Sequence, residues 1–171
     1  CMISFQKEDF IPNLDFILPE IHKIKLYNPI EYEKIEDKQN WPGYRSKGLG
    51  LENPFFINHL YELLKTTDVL KNKNFSLDAY LHLKFEKDEK NDHIHQDNSS
   101  HDLSGLVYLN DTNMKSGTKL FDINGNVIND FKYVKNRLVI YSSNYRHVGY
   151  GHFGDTISNG RLTLNFFINI M

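Results

Sequence analysis

His95-Gln96-Asp97, taken with His147 and Arg161, is the part of this chain best suited to chemistry. Two imidazoles and one carboxylate are the ligand set that holds non-haem Fe(II) and leaves coordination positions open. His95 and Asp97 stand two residues apart, so in extended backbone both side chains leave the same face and can share one metal ion. His147 follows the apolar run Arg137-Leu138-Val139-Ile140-Tyr141 and is placed to come off a neighbouring strand end as the third ligand. A 2-oxo acid can chelate two of the open positions and dioxygen can take the third. Arg161 and Thr163 are also two apart. A guanidinium fork with a hydroxyl beside it suits the far carboxylate of a dicarboxylic co-substrate. A His-x-Asp triplet arises easily by chance in 171 residues with 8 histidines. The argument therefore rests on the order of the pieces and on the strands that carry them.

Those strands are legible as a period of two. Leu77, Ala79, Leu81, Leu83 and Phe85 alternate with Ser76, Asp78, Tyr80, His82 and Lys84, which is a strand with two distinct faces. The charged segment 86–94 then reads as a mobile polar loop leading into His95. Leu103–Asn110 reads as a strand. Thr118–Phe121 and Val127-Ile128 flank Asp122-Ile123-Asn124-Gly125-Asn126, a hairpin with Asn-Gly at its turn. Residues 137–141 suit a central strand. In 161–170 Leu162, Leu164, Phe166, Ile168 and Ile170 share one face, and Arg161, Thr163, Asn165, Phe167 and Asn169 share the other. A jelly-roll strand turns one face to its partner sheet and one to a helix or solvent, so either face is available to line a pocket. Asn53-Pro54 starts a helix expected near 54–69, its apolar face set by residues 56, 57, 60, 63 and 64. Residues 1–50, with Pro12, Pro19, Pro29 and Pro42, read as short strands and turns with one short helix around 31–38. The fold class is mainly β with flanking helices: an antiparallel double-stranded β-helix, cupin-like.

The bounds agree. A length of 171 residues suits one domain spanning 1–171, with 1–75 as mixed N-terminal support and 76–170 as the jelly-roll core. Net charge is −2, so no global basic field invites nucleic acid. No apolar run approaches a membrane span, and CMISFQKEDF lacks the pattern of a secretory leader. Cys1 is the only cysteine, which excludes an intramolecular disulfide and a thiolate metal cluster. A soluble, cytoplasmic protein is the expectation. The oligomeric state is not legible.

The motifs also resemble a family. His95-Gln96-Asp97, Leu106-Val107-Tyr108-Leu109-Asn110, Ser116-Gly117-Thr118-Lys119-Leu120-Phe121, Asn136–Tyr141, His147 and Arg161–Phe167 resemble, in order, the 2-oxoglutarate/Fe(II)-dependent dioxygenases. The nearest branch is the prolyl-4-hydroxylase-like one. The resemblance covers roughly residues 76–170, with Pro42-Gly43-Tyr44-Arg45 on a substrate-side loop. It implies Fe(II), 2-oxoglutarate and dioxygen, with release of succinate and carbon dioxide. It implies His95, Asp97 and His147 as metal ligands, and Arg161 with Thr163, Tyr108 and Asn165 around the co-substrate. Two departures stand out. His147 lies 14 residues before Arg161, a longer interval than in many relatives, which makes His152 a rival third ligand. Ser116-Gly117 replaces a Gly-Gly pair.

The substrate class stays open between a peptide side chain, an amino acid and a small metabolite. The competing reading is a non-catalytic cupin-like binding or structural module. Halogenation is disfavoured because Asp97 fills the position vacated for halide. The nucleic-acid-demethylating branch is disfavoured because Phe167 stands where its second arginine would be.

Overall fold

The two alternating segments become the two longest strands, paired antiparallel along their whole length. β3 (Phe75–Lys84) meets β9 (Arg161–Ile170) in unbroken register from Phe75↔Ile170 to Lys84↔Arg161. On the other side of β9 lie β4 (Leu103–Tyr108), then β7 (Leu138–Ser142), then β1 (Ser4–Lys7). The two-residue β2 (Tyr44–Arg45) closes the opposite edge beside β3, giving the six-stranded order β1-β7-β4-β9-β3-β2. A second, three-stranded sheet is formed by β5 (Asn113–Phe121), β6 (Val127–Tyr133) and β8 (Arg146–Tyr150) in the order β6-β5-β8. Every pairing among these strands is antiparallel, and the two sheets make the jelly roll. The computed structural model describes residues 2–32, 41–97 and 100–171.

The strand period decides which face does what. Leu162, Leu164, Phe166 and Ile168 of β9, with Ala79, Leu81 and Leu83 of β3, belong to the larger apolar core. That core is completed by α1 (Leu14–Ile21) through Leu14, Leu18 and Ile21, and by α4 (Pro54–Lys65) through Leu60 and Leu64. Each such leucine contributes about 1.5–3 kcal/mol by leaving water. The opposite face of the same strands carries Tyr80, His82 and Lys84 on β3 and Arg161, Thr163 and Asn165 on β9, and these line a cleft. A smaller core of Leu106, Tyr108, Val139 and Tyr141 packs against Leu120, Phe131 and Tyr133 of the small sheet. Of the two faces left open by the sequence, the polar one faces the partner sheet.

α4 starts as expected: the Asn53 side chain accepts the Phe56 N–H at 3.1 Å and Pro54 occupies the first turn. It ends at Lys65, short of 69, because the Thr66 and Thr67 hydroxyls donate back to the carbonyls of Leu63 and Leu64 at 2.6 and 2.7 Å. α1 lies in the segment expected as short strands and turns: Leu14, Leu18 and Ile21 fall on one helical face, and their burial outweighs the one N–H that Pro19 lacks. Of the short helix expected around 31–38, Pro29–Tyr32 is helical (α2) and the remainder lies outside the described residues. A further short helix, α3 (Leu49–Glu52), precedes α4. The Asn-Gly hairpin forms as read. Asp122 Oδ1 accepts the N–H groups of Asn124 and Asn126 at 2.9 Å, and Gly125 takes φ +84°.

Candidate metal and co-substrate site

The segment between β3 and β4 delivers the first two ligand candidates. Residues 86–94 are not the free polar loop that their charge suggests. Glu86–Asn91 wind as a 3₁₀ turn, capped where Asp88 accepts the Phe85 N–H at 2.8 Å. The Asp92 side chain is 6% exposed and takes Lys84 Nζ at 2.5 Å and His152 Nε2 at 2.8 Å on the same oxygen. Glu89 accepts the backbone N–H groups of Gly151 and His152 at 3.0 and 2.7 Å. Burial alone would raise the Asp92 pKa. The bonds from His152 and Lys84 overcome it and hold the carboxyl far below the usual range. Burial pushes Lys84 down to about 8 against the pull of Asp92, so it keeps its proton at pH 7. The charges that look like a solvated run are pins for the arm that carries His95.

His95 then pairs with His147 as an isolated antiparallel bridge, His95 N–H to His147 O at 3.0 Å and His147 N–H to His95 O at 2.8 Å. His147 sits inside β8, a strand hidden in what reads as the loop 142–160; Gly149 and Gly151 obscure its pattern. The ligand atoms of His95, Asp97 and His147 all lie within 4.8 Å of one another. Asp97 Oδ1 is 3.4 Å from His147 Nε2 and 3.8 Å from His95 Nε2. Each imidazole places Nδ1 on a backbone carbonyl, His95 on His93 at 2.9 Å and His147 on Tyr145 at 3.0 Å. A carbonyl only accepts, so Nδ1 carries the proton and the bare Nε2 lone pair faces the carboxylate. Two lone pairs turned on one anionic oxygen are stabilised by a cation between them. The donor set thus fits a divalent metal, with backbone carbonyls fixing both tautomers. Burial, then the nearby His147, keeps the His95 pKa below its ordinary value, which favours the neutral, ligating form. Burial would raise Asp97, but its neighbours His147, Ser104 and His95 hold it below the usual carboxylate value.

His152 is elsewhere. Its fully buried ring donates Nε2–H to Asp92 and lies on the far side of the pinning network. The structure brings His147, not His152, to His95 and Asp97.

Arg161 is 3% exposed, at the other end of the same cleft. Its Nε donates to Ser116 Oγ at 3.2 Å, and one Nη donates to the Gly117 carbonyl at 2.8 Å and to Thr118 Oγ1 at 3.3 Å. No carboxylate among the described residues forms an ion pair with it. Gly149 permits the approach, since a Cβ there would lie 3.0 Å from the guanidinium. Thr163 and Asn165 follow Arg161 along β9 toward the metal ligands, the Thr163 hydroxyl bonded to Asn165 Oδ1. Tyr108 stands behind the guanidinium, its ring centroid 5.9 Å away. Its hydroxyl is 3.0 Å from the Phe131 carbonyl and 2.8 Å from Thr118 Oγ1. The tyrosine's single proton goes to the carbonyl, which only accepts, so Thr118 donates to Tyr108 while accepting from Arg161. Tyr108 reaches the cleft through that relay, and burial raises its pKa to about 12. Lys84, His82 and Tyr80, the polar register of β3, also line the cleft without having been expected there, and Arg45, expected on a substrate-side loop, lines it from β2.

Solved structures share this fold. An oxidoreductase of the 2OG-Fe(II) oxygenase family from Burkholderia pseudomallei aligns over 98% of this chain and 84% of its own, with a TM-score of 0.61 and 11% identity. A prolyl-4-hydroxylase from Pseudomonas putida aligns over 97% and 91%, with a TM-score of 0.55 and 13% identity. A Trichoplax adhaerens prolyl hydroxylase, solved with a hypoxia inducible factor oxygen degradation domain peptide fragment, aligns over 96% and 82%, with a TM-score of 0.58 and 12% identity. No family model matches the sequence. No curated protein matches it either. The architecture is therefore that of the 2OG-Fe(II) oxygenases, prolyl hydroxylases included, at identities that speak for the fold alone.

Proposed function

We propose that this protein is an Fe(II)- and 2-oxoglutarate-dependent dioxygenase that hydroxylates a small-molecule or peptide substrate. The observation that carries the reading is the pairing, in one cleft, of a His-Asp-His cluster with a buried guanidinium that has no carboxylate partner among the described residues. A buried cation without a counter-ion is costly, and a dicarboxylate ligand supplies one. His95 and His147 offer Nε2, and Asp97 offers the anionic oxygen, for the metal. Arg161 takes the distal carboxylate of 2-oxoglutarate through the Nη that is not bonded to β5, with Thr163 and Asn165 along the path toward the metal ligands. Ser116, Gly117 and Thr118 hold the guanidinium in place, and Tyr108 steadies Thr118 from behind. Bound Fe(II) supplies activation of dioxygen: one oxygen atom enters succinate as 2-oxoglutarate loses carbon dioxide, and the other enters a substrate C–H bond as hydroxyl.

The test is succinate formation from 2-oxoglutarate by the Fe(II)-loaded protein with candidate substrates, together with calorimetric binding of Mn(II) and 2-oxoglutarate. Binding of both, abolished separately by Asp97→Ala and Arg161→Ala, supports the reading. Failure of the protein to bind a divalent metal at this cluster overturns it.

A further inference from the structure

Arg45 carries a second unmatched positive charge in the same cleft. It lies on the edge strand β2, paired with His82 of β3, and its side chain lines the cleft that holds the metal candidates. Its guanidinium carbon lies over both aromatic rings beside it, 4.5 Å from the Trp41 centroid and 4.9 Å from that of Tyr80. Its Nε is buried and has no hydrogen-bond partner among the described residues. No carboxylate among the described residues forms an ion pair with it; Asp78, the acid nearest in sequence on β3, is exposed and makes none. A guanidinium held against aromatic rings keeps its in-plane N–H edge for a ligand. That edge matches a carboxylate, which accepts two parallel N–H groups.

Arg45 is not a duplicate of Arg161. Arg161 lies opposite Lys84, while Arg45 lies opposite His82, on a strand two places from β9. At about 4.8 Å per strand, that puts the Arg45 backbone roughly 10 Å to the side of the run Arg161–Thr163–Asn165 that leads toward the metal ligands. A dicarboxylate held by Arg161 along β9 leaves Arg45 free to serve the other reactant.

Resting on the proposed function, we infer that Arg45 is the substrate anchor, and that the substrate is a small free carboxylic acid of the free amino-acid class rather than an internal peptide residue. An internal residue has its carboxyl group consumed in an amide, which offers the fork one neutral acceptor. A free carboxylate satisfies both edge donors and the charge. The rings of Trp41 and Tyr80 keep the fork in one plane, so the anchored carboxylate fixes which carbon of the substrate reaches the metal.

Trp41 is the only tryptophan in the chain and touches the fork, so its emission reports occupancy. The full-length protein loaded with Mn(II) and 2-oxoglutarate is titrated with the twenty free amino acids and with their carboxamides, by Trp41 emission and by calorimetry. At least one acid is expected to bind about tenfold or more tighter than its own amide, the worth of a charge-assisted pair. Arg45→Gln should erase that preference and leave 2-oxoglutarate affinity unchanged; Arg45→Lys should keep part of it, because charge survives without the fork. Equal binding of acids and amides in the unaltered protein, or no binding by any of them, overturns the proposal. So does a loss of 2-oxoglutarate affinity in Arg45→Gln with the acid preference intact, which would make Arg45 a second co-substrate clamp. If neither protein binds Mn(II) and 2-oxoglutarate but the acid preference still depends on Arg45, the carboxylate site stands and the dioxygenase reading falls.

Discussion

The bare Nε2 atoms of His95 and His147 and the carboxylate of Asp97 face one another because backbone carbonyls hold both ring protons away from the cluster. Asp97 is the residue whose loss speaks most plainly. Asp97→Ala removes the only anionic donor of the three, so Mn(II) affinity should fall below detection by calorimetry. Stability should change by no more than about 1 kcal/mol, because the substitution also removes a desolvated charge. A large drop in thermal stability without loss of metal binding would make Asp97 structural. Arg161 separates the second half of the site. Arg161→Ala should raise the 2-oxoglutarate requirement by orders of magnitude at unchanged Mn(II) affinity, and Arg161→Lys should recover part of it, since one ammonium replaces a two-pronged donor. Equal 2-oxoglutarate affinity in the Ala variant would remove Arg161 from this role. These residues were legible because their chemistry is carried by type and spacing. Lys84 was not, since a lysine on a strand looks solvated until the fold shows that its face is turned inward, and for Arg45 the resemblance points only to a substrate-side loop.

At the scale of elements, strands with an unbroken period of two were readable to within a residue or two, β3 and β9 above all. β8 was not, because glycines and a short length erase the alternation, and it is β8 that carries His147. The arm 86–97 was misjudged for a different reason. Charge density signals solvent when the partners are unknown, but Asp92, Lys84 and His152 satisfy one another inside the protein. This arm ties β3 to the metal ligands, so its pins should matter for both stability and site. Asp92→Asn leaves the Lys84 ammonium and the His152 N–H without their acceptor. Breaking one partner of a buried pair costs about 3–5 kcal/mol, with the lower end expected because Lys84 can shed its proton. The deficit has a pH signature. The Asp92 carboxyl titrates far lower in the folded protein than its unfolded value of about 3.9, so its contribution is full above about pH 5, begins to fade near pH 4 and is lost as pH falls on toward the folded value. Urea unfolding at pH 7 and pH 3 checks this: the gap between the Asn variant and the unaltered protein should narrow at pH 3 by about 1 kcal/mol. A gap independent of pH would mean that Asp92 acts through shape and not through charge.

For the molecule as a whole, the cleft lies between two sheets that share a core of modest size. Leu106, Tyr108, Val139 and Tyr141 of the large sheet meet Leu120, Phe131 and Tyr133 of the small one. The ligand cluster spans the same divide: His147 belongs to the small sheet, while Asp97 sits by Ser104 of the large one. Arg161 repeats the arrangement, reaching from β9 to Ser116, Gly117 and Thr118 of β5. Metal and dicarboxylate should therefore act as cross-links between the sheets, binding the folded state and having no preformed site in the unfolded chain. Ligand present at about one hundred times its dissociation constant adds about 2.7 kcal/mol to stability. For a domain of this size that is roughly 5–10 °C in Tm, at about 2–4 °C per kcal/mol. Calorimetric scans should show Mn(II) raising Tm alone and 2-oxoglutarate raising it further once Mn(II) is present, since chelation and the Arg161 pair then act on one molecule. Asp97→Ala should abolish both shifts; Arg161→Ala should abolish the second and keep the first. A 2-oxoglutarate shift that survives in both variants would place the dicarboxylate outside the cleft and sever the link between site and sheets.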